Sequence, residues 1–403
     1  MTSLPSPPPD PEAADPGTVI PLVRPTATAA SPRIARATER YLRQVDERLA
    51  DVVASLAQTW RYDLMGDEDP GSDRGAPLDI LQDRDLPEML RVLTVTGGKR
   101  IRPSMCFWGW VAAGGRSRDG GTGPGADQVV QVGAALELLH IFALIHDDVM
   151  DESASRRGQP SVHTLAAQLH LHSSARGDAR RFGESIAVLV GDLAHAEADH
   201  MVTDLPPAMR RLWRLLVIEL VQGQSRDITG TAAGRRDLAH ARQVARMKSG
   251  AYTVQRPLQL GAAAAGATEP VVRAITRYGR EVGEGFALRD DLLGVWGNPE
   301  RTGKPAGDDL LSGKPTVILS LADERLRGSD RALLAQVGTP ELSPADVAHL
   351  QDALQAAGVV DAVESRISGH VRAAIAELDH PGLSPDGIAG LTAMAYKIAW
   401  RDR

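Results

Sequence analysis

The fold is decided by the stretch LHIFALIHDDVMD, residues 139–151. An apolar run ends here in three aspartates. On an α-helix Asp147 and Asp151 lie four residues apart and Asp148 and Asp151 three apart, so their carboxylates share one face. Polar and helix-stopping residues follow, including Ser153 and Gly158, so the cluster lies at a helix C-terminus whose dipole opposes each negative charge by about 0.3–1 kcal/mol. The sequence therefore predicts a long core helix with an acidic end and positive charge close to it.

A second acidic pair lies in RDDLLGVWG, residues 289–297, where Asp290 and Asp291 end another apolar-periodic segment. Ligands that offer only oxygen fit hard cations, and magnesium binds through a few carboxylates together with substrate phosphates. One such cluster is as easily a solvated helix end. Two matched clusters favour a metal site, and its predicted ligands are Asp147, Asp148, Asp151, Asp290 and Asp291.

Basic residues also recur along the chain near these acidic clusters. GGKRIRP, residues 97–103, combines glycines, which let the backbone approach a ligand closely, with three cations in four positions. Arg156 and Arg157 come directly after the first acidic cluster, and Lys248, Lys304 and Lys314 add further cations. A nucleotide-binding phosphate loop at residues 307–314 fails on spacing, because five residues separate its glycines and Pro315 replaces the required Ser or Thr. These cations therefore suit diphosphate groups.

Composition predicts an all-α protein. Of 403 residues 43% are apolar and only 4% aromatic, and Ala and Leu, which lose little side-chain freedom in helices, are abundant. A net charge of −7 argues against nucleic acid as a partner. A lone cysteine, Cys106, excludes an internal disulfide and suits the cytoplasm. The apolar stretch at 129–145 carries polar residues and is shorter than a bilayer requires, so no transmembrane segment is predicted.

The pattern along the chain predicts one helical domain. Residues 1–31 are rich in Pro and Ala and are expected to form a disordered tail, and residues 32–403 are expected to form a single all-helical domain. Polar or glycine-rich loops are predicted at 66–76 and 114–125. Ser343 and Ser384, each followed by proline, are predicted to begin helices near the C-terminus. No stretch alternates with period two, so no strand is predicted.

The motifs together resemble the trans-isoprenyl diphosphate synthase, or polyprenyl synthetase, family, which includes the farnesyl and geranylgeranyl diphosphate synthases. The resemblance runs in order through GGKRIRP, ELLHIFALIHDDVMD, RRGQPSVH, GDL, MKSGAYT, RDDLLGVWG and GKPAGDDLLSGK, within residues 90–320. It implies a helical bundle around a deep central cavity, with both aspartate motifs at the mouth, and a homodimer.

The resemblance also implies the role of each site residue. The five aspartates would hold magnesium, three ions per active site, against an allylic diphosphate. That diphosphate would be bound by Arg156, Lys248 and Lys304, and isopentenyl diphosphate by Lys99, Arg102, His140 and Arg157. The expected catalytic residues are Asp147, Asp148, Asp151, Arg156, Lys248, Asp290 and Asp291. This sequence departs from the family at Gly294, where a third aspartate is common, and at Ala287, where many members have Gln.

Product length is expected to depend on Phe142 and Ala143. They lie five and four residues before Asp147, about 6–7.5 Å down the helix at 1.5 Å per residue. An aromatic residue there resembles the geranylgeranyl (C20) type, although an ordinary core Phe is an equally good interpretation. Two other functions stay open: a class I terpene cyclase on the same fold, and a noncatalytic subunit of a heteromeric synthase. The second diphosphate site disfavours the cyclase, whereas Gly294 and Ala287 motivate the noncatalytic subunit.

Overall fold

The computed structural model describes residues 32–62, 80–81, 84–115, 125–156, 158–299 and 306–401. The predicted tail at 1–31 lies outside the described residues, as do Arg157, Lys304 and most of the two predicted loops.

The described residues are helical almost throughout, which confirms the predicted all-α class. The helices of the first half are α1 (Pro32–Tyr62), α2 (Leu86–Val95), α3 (Ile101–Ala112), α4 (Ala126–Met150), α5 (Val162–His172), α6 (Ala179–Met201) and α7 (Pro207–Ala232). Those of the second half are α8 (Leu238–Val244), a π-helix (Ala245–Gln255), α9 (Arg256–Ala264), α10 (Glu269–Trp296), α11 (Asp308–Leu311), α12 (Val317–Arg325), α13 (Gly328–Leu334), α14 (Pro344–Ala356), α15 (Val359–Ala376) and α16 (Pro385–Ala399).

A small antiparallel hairpin was not predicted. Its strands, β1 (Ser155–Arg156) and β2 (Gln159–Pro160), pair Ser155 with Pro160 and Arg156 with Gln159. Strands of two residues are too short to carry a period-two pattern, so they could not be predicted from the pattern of residues. The hairpin directly follows the acidic end of α4 and presents Arg156 to it.

Helix α4 lies at the centre of the fold. It packs against α1, α3 and α6, and Val132, Leu136 and Leu139 on it are fully buried. The helix has 25 residues, so the sequence-based estimate of a segment too short to cross a membrane was wrong. By length and composition alone it passes as a candidate membrane span, but 61% of its most apolar window is buried against other helices. In this fold α4 is a core helix.

The predicted helix starts near the C-terminus are confirmed. Ser343 accepts the N–H of Asp346, and the Asp346 carboxylate accepts the N–H of Ser343, which together form a capping box before α14. The hydroxyl of Ser384 accepts the N–H of Gly387 at the start of α16. These caps satisfy N–H groups that have no partner within their own helix.

A buried ion pair joins α10 to the last two helices. Arg289 is fully buried, and its Nη2 donates to Oε2 of Glu364 in α15 at 2.8 Å. Its Nε donates to the carbonyl of Ala399, at the end of α16, at 2.6 Å. Arg289 directly precedes Asp290, so these contacts also fix the turn of α10 that carries the second acidic pair.

Loss of Glu364 should destabilise the protein strongly. Glu364→Ala leaves the guanidinium of Arg289, which has 0% exposure, without its carboxylate, and removal of one member of a buried pair costs about 3–5 kcal/mol. The measurement is the free energy of unfolding in urea. Arg273→Ala on α10, the helix that carries Arg289, is the control. Its pair with Glu269 is exposed and should contribute at most about 0.5 kcal/mol. Equal losses in the two variants would contradict the structural role given to Glu364.

Candidate active site

Two adjoining cavities are lined by residues from both acidic clusters. The first has a volume of about 840 Å³ and the second about 330 Å³. Residues that line both are Asp147, Arg156, Lys248, Ser249 and Asp290. Asp147 lies near the end of α4 and Asp290 in the last two turns of α10, so two helices that are distant in the chain bring their carboxylates to one space.

Each aspartate of the first cluster is paired with its own cation. Lys248 Nζ lies 2.9 Å from Asp147 Oδ1, and Arg156 Nε lies 2.7 Å from Asp148 Oδ2. Lys314 Nζ lies 2.6 Å from Oδ2 of Asp151, the residue that caps α4. The positive charge predicted from the helix dipole is therefore present on three separate elements.

The cations determine the ionisation of Asp147. Burial alone would raise its pKa, but Lys248, Lys314 and Arg156 hold the pKa well below its usual range. The Lys248 ammonium also lies 2.6 Å from Oδ2 of Asp227 in α7, so one lysine joins two carboxylates. Asp147 is consequently a permanent anion at neutral pH.

The second acidic pair is held in a different way. Asp290 forms an ion pair with Arg401, whose guanidinium also lies over the Phe286 ring at 4.0 Å. Asp291 accepts the backbone N–H of Val317 at 3.2 Å. Burial, followed by the nearby carboxylates of Asp309 and Asp290, raises the pKa of Asp291 well above its usual value. A cation placed beside this carboxyl would therefore favour its ionised form.

The π-helix brings Lys248 to the acidic cluster. Its backbone packs so closely on α7 that a Cβ at Gly223 would lie 2.4 Å from the amide nitrogen of Lys248. Gln224, the residue after Gly223 in α7, donates from Nε2 to Asp147 Oδ1 at 3.2 Å. Sequence reasoning missed Gln224 and Asp227. Their spacing of three residues places both on one face of α7, but no motif indicates that this face meets α4.

Three residues of the predicted second diphosphate site also line the first cavity. Lys99, Arg102 and His140 all line it. Arg102 donates to the hydroxyl of Thr253 at 2.9 Å and lies over the Tyr252 ring at 4.2 Å, so the π-helix also holds this side chain. Arg157, the fourth predicted member, lies outside the described residues, as does Lys304 of the predicted allylic site.

Arg100 has a structural role. Its backbone adopts the left-handed conformation, with φ of 49°, at the start of α3. Its guanidinium contacts Glu137 at 2.5 Å and Asp46 at 2.9 Å, which ties α3 to α4 and α1. All three clustered cations of GGKRIRP line the first cavity, and Arg100 among them is held by two carboxylates.

The two residues predicted to set product length are placed differently. Ala143 lines the first cavity, together with Leu144 and with Leu220 of α7. The ring of Phe142 stacks on His195 of α6, with the ring centroids 4.6 Å apart, and meets His146 edge-on at 4.6 Å. Within the described residues, the lining of the cavity includes Ala143 but not Phe142.

The donor set fits magnesium. In the part of the chain that the structure describes, no three acidic, His or Cys side chains gather around one point as a preformed cage. The carboxylates instead line a shared cavity from two helices. Magnesium is usually bound by one or two carboxylates with waters and substrate phosphates, and oxygen-only donors suit it. The aspartates therefore fit ions that a diphosphate substrate helps to hold.

Comparisons with known proteins agree with this site. The sequence model of the polyprenyl synthetase family matches residues 83–356. Geranylfarnesyl diphosphate synthase of Aeropyrum pernix is 30% identical over 281 residues, which cover 68% of this chain and 80% of that protein. Geranylgeranyl diphosphate synthase of Mycobacterium tuberculosis (strain ATCC 25618 / H37Rv) is 32% identical over 271 residues, which cover 65% of this chain and 69% of that protein.

A solved structure is also similar. It is geranylgeranyl pyrophosphate synthase from Corynebacterium glutamicum, complexed with isoprenyl diphosphate and magnesium. The TM-score is 0.78 at 35% sequence identity, and the match covers 89% of this chain and 98% of that one. This chain belongs to the polyprenyl synthetase family. It is a short-chain trans-isoprenyl diphosphate synthase, a prenyltransferase.

Proposed function

We propose that this enzyme condenses isopentenyl diphosphate with dimethylallyl, geranyl or farnesyl diphosphate and produces geranylgeranyl diphosphate. One observation carries the proposal: a single cavity of about 840 Å³ is lined both by Asp147, Lys248 and Asp290 and by Lys99, Arg102 and His140. Two diphosphates need two such sites. The first-turn N–H groups of α3 lie beside these basic residues and favour an anion there.

The residues have distinct roles in the proposed reaction. Asp147, Asp148, Asp151, Asp290 and Asp291 would hold magnesium, three ions per active site, which would supply positive charge against the departing diphosphate. Lys248, Arg156 and Lys304 bind that same diphosphate. Because Lys248 and Arg156 are already fixed by carboxylates, little reorganisation of these two is needed when negative charge develops.

The proposed placement of the two diphosphates determines which bonds break and which form. The allylic carbon–oxygen bond breaks, and its electron pair leaves with the diphosphate. The double bond of isopentenyl diphosphate, held by Lys99, Arg102, His140 and Arg157, supplies the pair that forms the new carbon–carbon bond. A proton is then lost to the released diphosphate and a new double bond forms. The apolar residues Leu144, Leu220 and Phe286 in the cavity lining help to keep water from the cation.

One incubation series tests the function. Labelled isopentenyl diphosphate is supplied with magnesium and with each of the three allylic diphosphates, and the products are sized by chromatography. Elongation that needs isopentenyl diphosphate supports the proposal. Release of hydrocarbon from an allylic diphosphate alone would instead identify a terpene cyclase. Turnover only after another subunit is added would identify a noncatalytic subunit.

Substitutions at Phe142 and Ala143 should change product length in opposite directions. Ala143→Phe puts a ring into the cavity wall and should shorten the main product by at least one five-carbon unit. Phe142→Ala removes the ring held by His195 and His146, and we expect a longer product because the wall behind Ala143 loses its support. The readout is the chain length of the product. Unchanged length in Phe142→Ala would refute the role of Phe142 and leave Ala143 to be judged separately.

We also propose a cytoplasmic homodimer. Helices α6 and α7 expose large apolar side chains, which a second copy of this chain would cover: Val188, Leu189, Leu215, Ile218, Val221 and Ile228. Clustered apolar exposure of this kind marks contact surfaces.

A charge on this face should separate the subunits. Val221→Arg places a cation on a side chain that is 56% exposed at the centre of the α7 face, so the mass measured by light scattering should fall to 43.0 kDa, that of one chain. Leu171→Arg on α5, 67% exposed and on neither α6 nor α7, is the control and should keep the wild-type mass. A wild-type mass of one chain would refute the dimer.

A further inference from the structure

Arg102 is held in the first cavity by neutral groups. Its Nη2 donates to the hydroxyl of Thr253 at 2.9 Å, and its guanidinium carbon lies 4.2 Å from the centre of the Tyr252 ring. In the part of the chain that the structure describes, no carboxylate forms an ion pair with this guanidinium, and its Nε has no hydrogen-bond partner. The side chain is therefore fixed in place without loss of its net charge.

Other cations in the same cavity lining are held in a different way. Arg100 contacts Glu137 and Asp46, while Lys248 and Arg156 each contact a carboxylate of the first acidic cluster. A carboxylate fixes a cation but also cancels much of the attraction that the cation would exert on a second anion. A ring and a hydroxyl fix a cation through a cation–π contact and a hydrogen bond, and they carry no charge of their own.

The π-helix that carries Tyr252 and Thr253 is a rigid support. It packs on α10 backbone against backbone, so that a Cβ at Gly250 would lie 3.0 Å from the carbonyl group of Gly283. Tyr252 is 3% exposed and Thr253 is fully buried. The same π-helix presents Lys248 to the first acidic cluster. One element thus holds a cation beside the carboxylates and another cation away from them.

We propose that Tyr252 and Thr253 are positioning residues for isopentenyl diphosphate, because they orient the guanidinium of Arg102 and leave its charge available to that diphosphate. This rests on the proposed function, in which Arg102 binds isopentenyl diphosphate. A guanidinium is planar and binds phosphate through a fork of N–H groups, so its orientation affects its affinity. The ring of Tyr252 supports one face of the fork, and Thr253 fixes one of its edges.

The proposal predicts that the ring and the hydroxyl contribute separately. Tyr252→Leu removes the ring and should weaken binding of isopentenyl diphosphate by about 5–30-fold, as expected for a desolvated cation–π contact. Tyr252→Phe keeps the ring and should bind within about twofold of wild type. Thr253→Val removes the acceptor and should weaken binding by about 3–10-fold, whereas Thr253→Ser keeps a hydroxyl and should restore it.

Calorimetric titration with isopentenyl diphosphate measures these affinities without turnover when no allylic diphosphate is present. Tyr41→Leu is the matched control, because Tyr41 is 4% exposed and lies outside the cavity linings. It should lower the free energy of unfolding in urea and keep the wild-type affinity. In steady-state assays of Tyr252→Leu, the KM for isopentenyl diphosphate should rise, while that for the allylic diphosphate stays within about twofold of wild type.

A double variant tests whether the ring acts through Arg102. Arg102→Ala should weaken binding of isopentenyl diphosphate, and the other predicted cations keep the residual affinity measurable. Adding Tyr252→Leu to Arg102→Ala should cause no further loss, because the group that the ring supports is already absent.

Three results would overturn the proposal: wild-type affinity in Tyr252→Leu, equal losses in Tyr252→Leu and Tyr252→Phe, or a further loss when Tyr252→Leu is added to Arg102→Ala. A wild-type protein that binds isopentenyl diphosphate but forms no elongated product would count against the proposed function and not against these positioning residues.

Discussion

The repulsion between the carboxylates at the C-terminal end of α4 is the constraint on which the rest of this structure depends. Asp147, Asp148 and Asp151 share a helix end whose dipole already disfavours them. Buried charges of one sign are costly unless cations are fixed beside them. Lys248, Arg156 and Lys314 meet that need from the π-helix, the hairpin and the segment before α12. The same cations are then ready for a diphosphate, so the groups that stabilise the fold also prepare the chemistry.

The surrounding helices serve to hold those charges in place. The close packing of Gly223 on the π-helix sets the position of Lys248, and the buried pair of Arg289 and Glu364 sets the turn of α10 that carries Asp290. Arg401, beyond the last helix, completes the arrangement by pairing with Asp290. Residues from α7 to the end of the described chain thus act on one site.

The second acidic pair shows how a local departure is met by tertiary structure. In sequence Gly294 is the loss of an acidic residue from a motif, and it raised the possibility of a noncatalytic chain. In the structure the vacated space is filled by the carboxylate of Asp309 from α11.

The sequence by itself determined the helical class, the central helix, the caps at Ser343 and Ser384, and the identity of the two acidic clusters. Each of these depends on residues within a few positions of one another, where periodicity, capping and charge act through short distances. Only the tertiary structure decided which cation meets which carboxylate, that Asp227, Gln224, Asp309 and Arg401 line the site, and that Arg100 is held by Glu137 and Asp46. Those contacts join residues up to 163 positions apart, as Lys314 and Asp151 are, and helix packing brings them together.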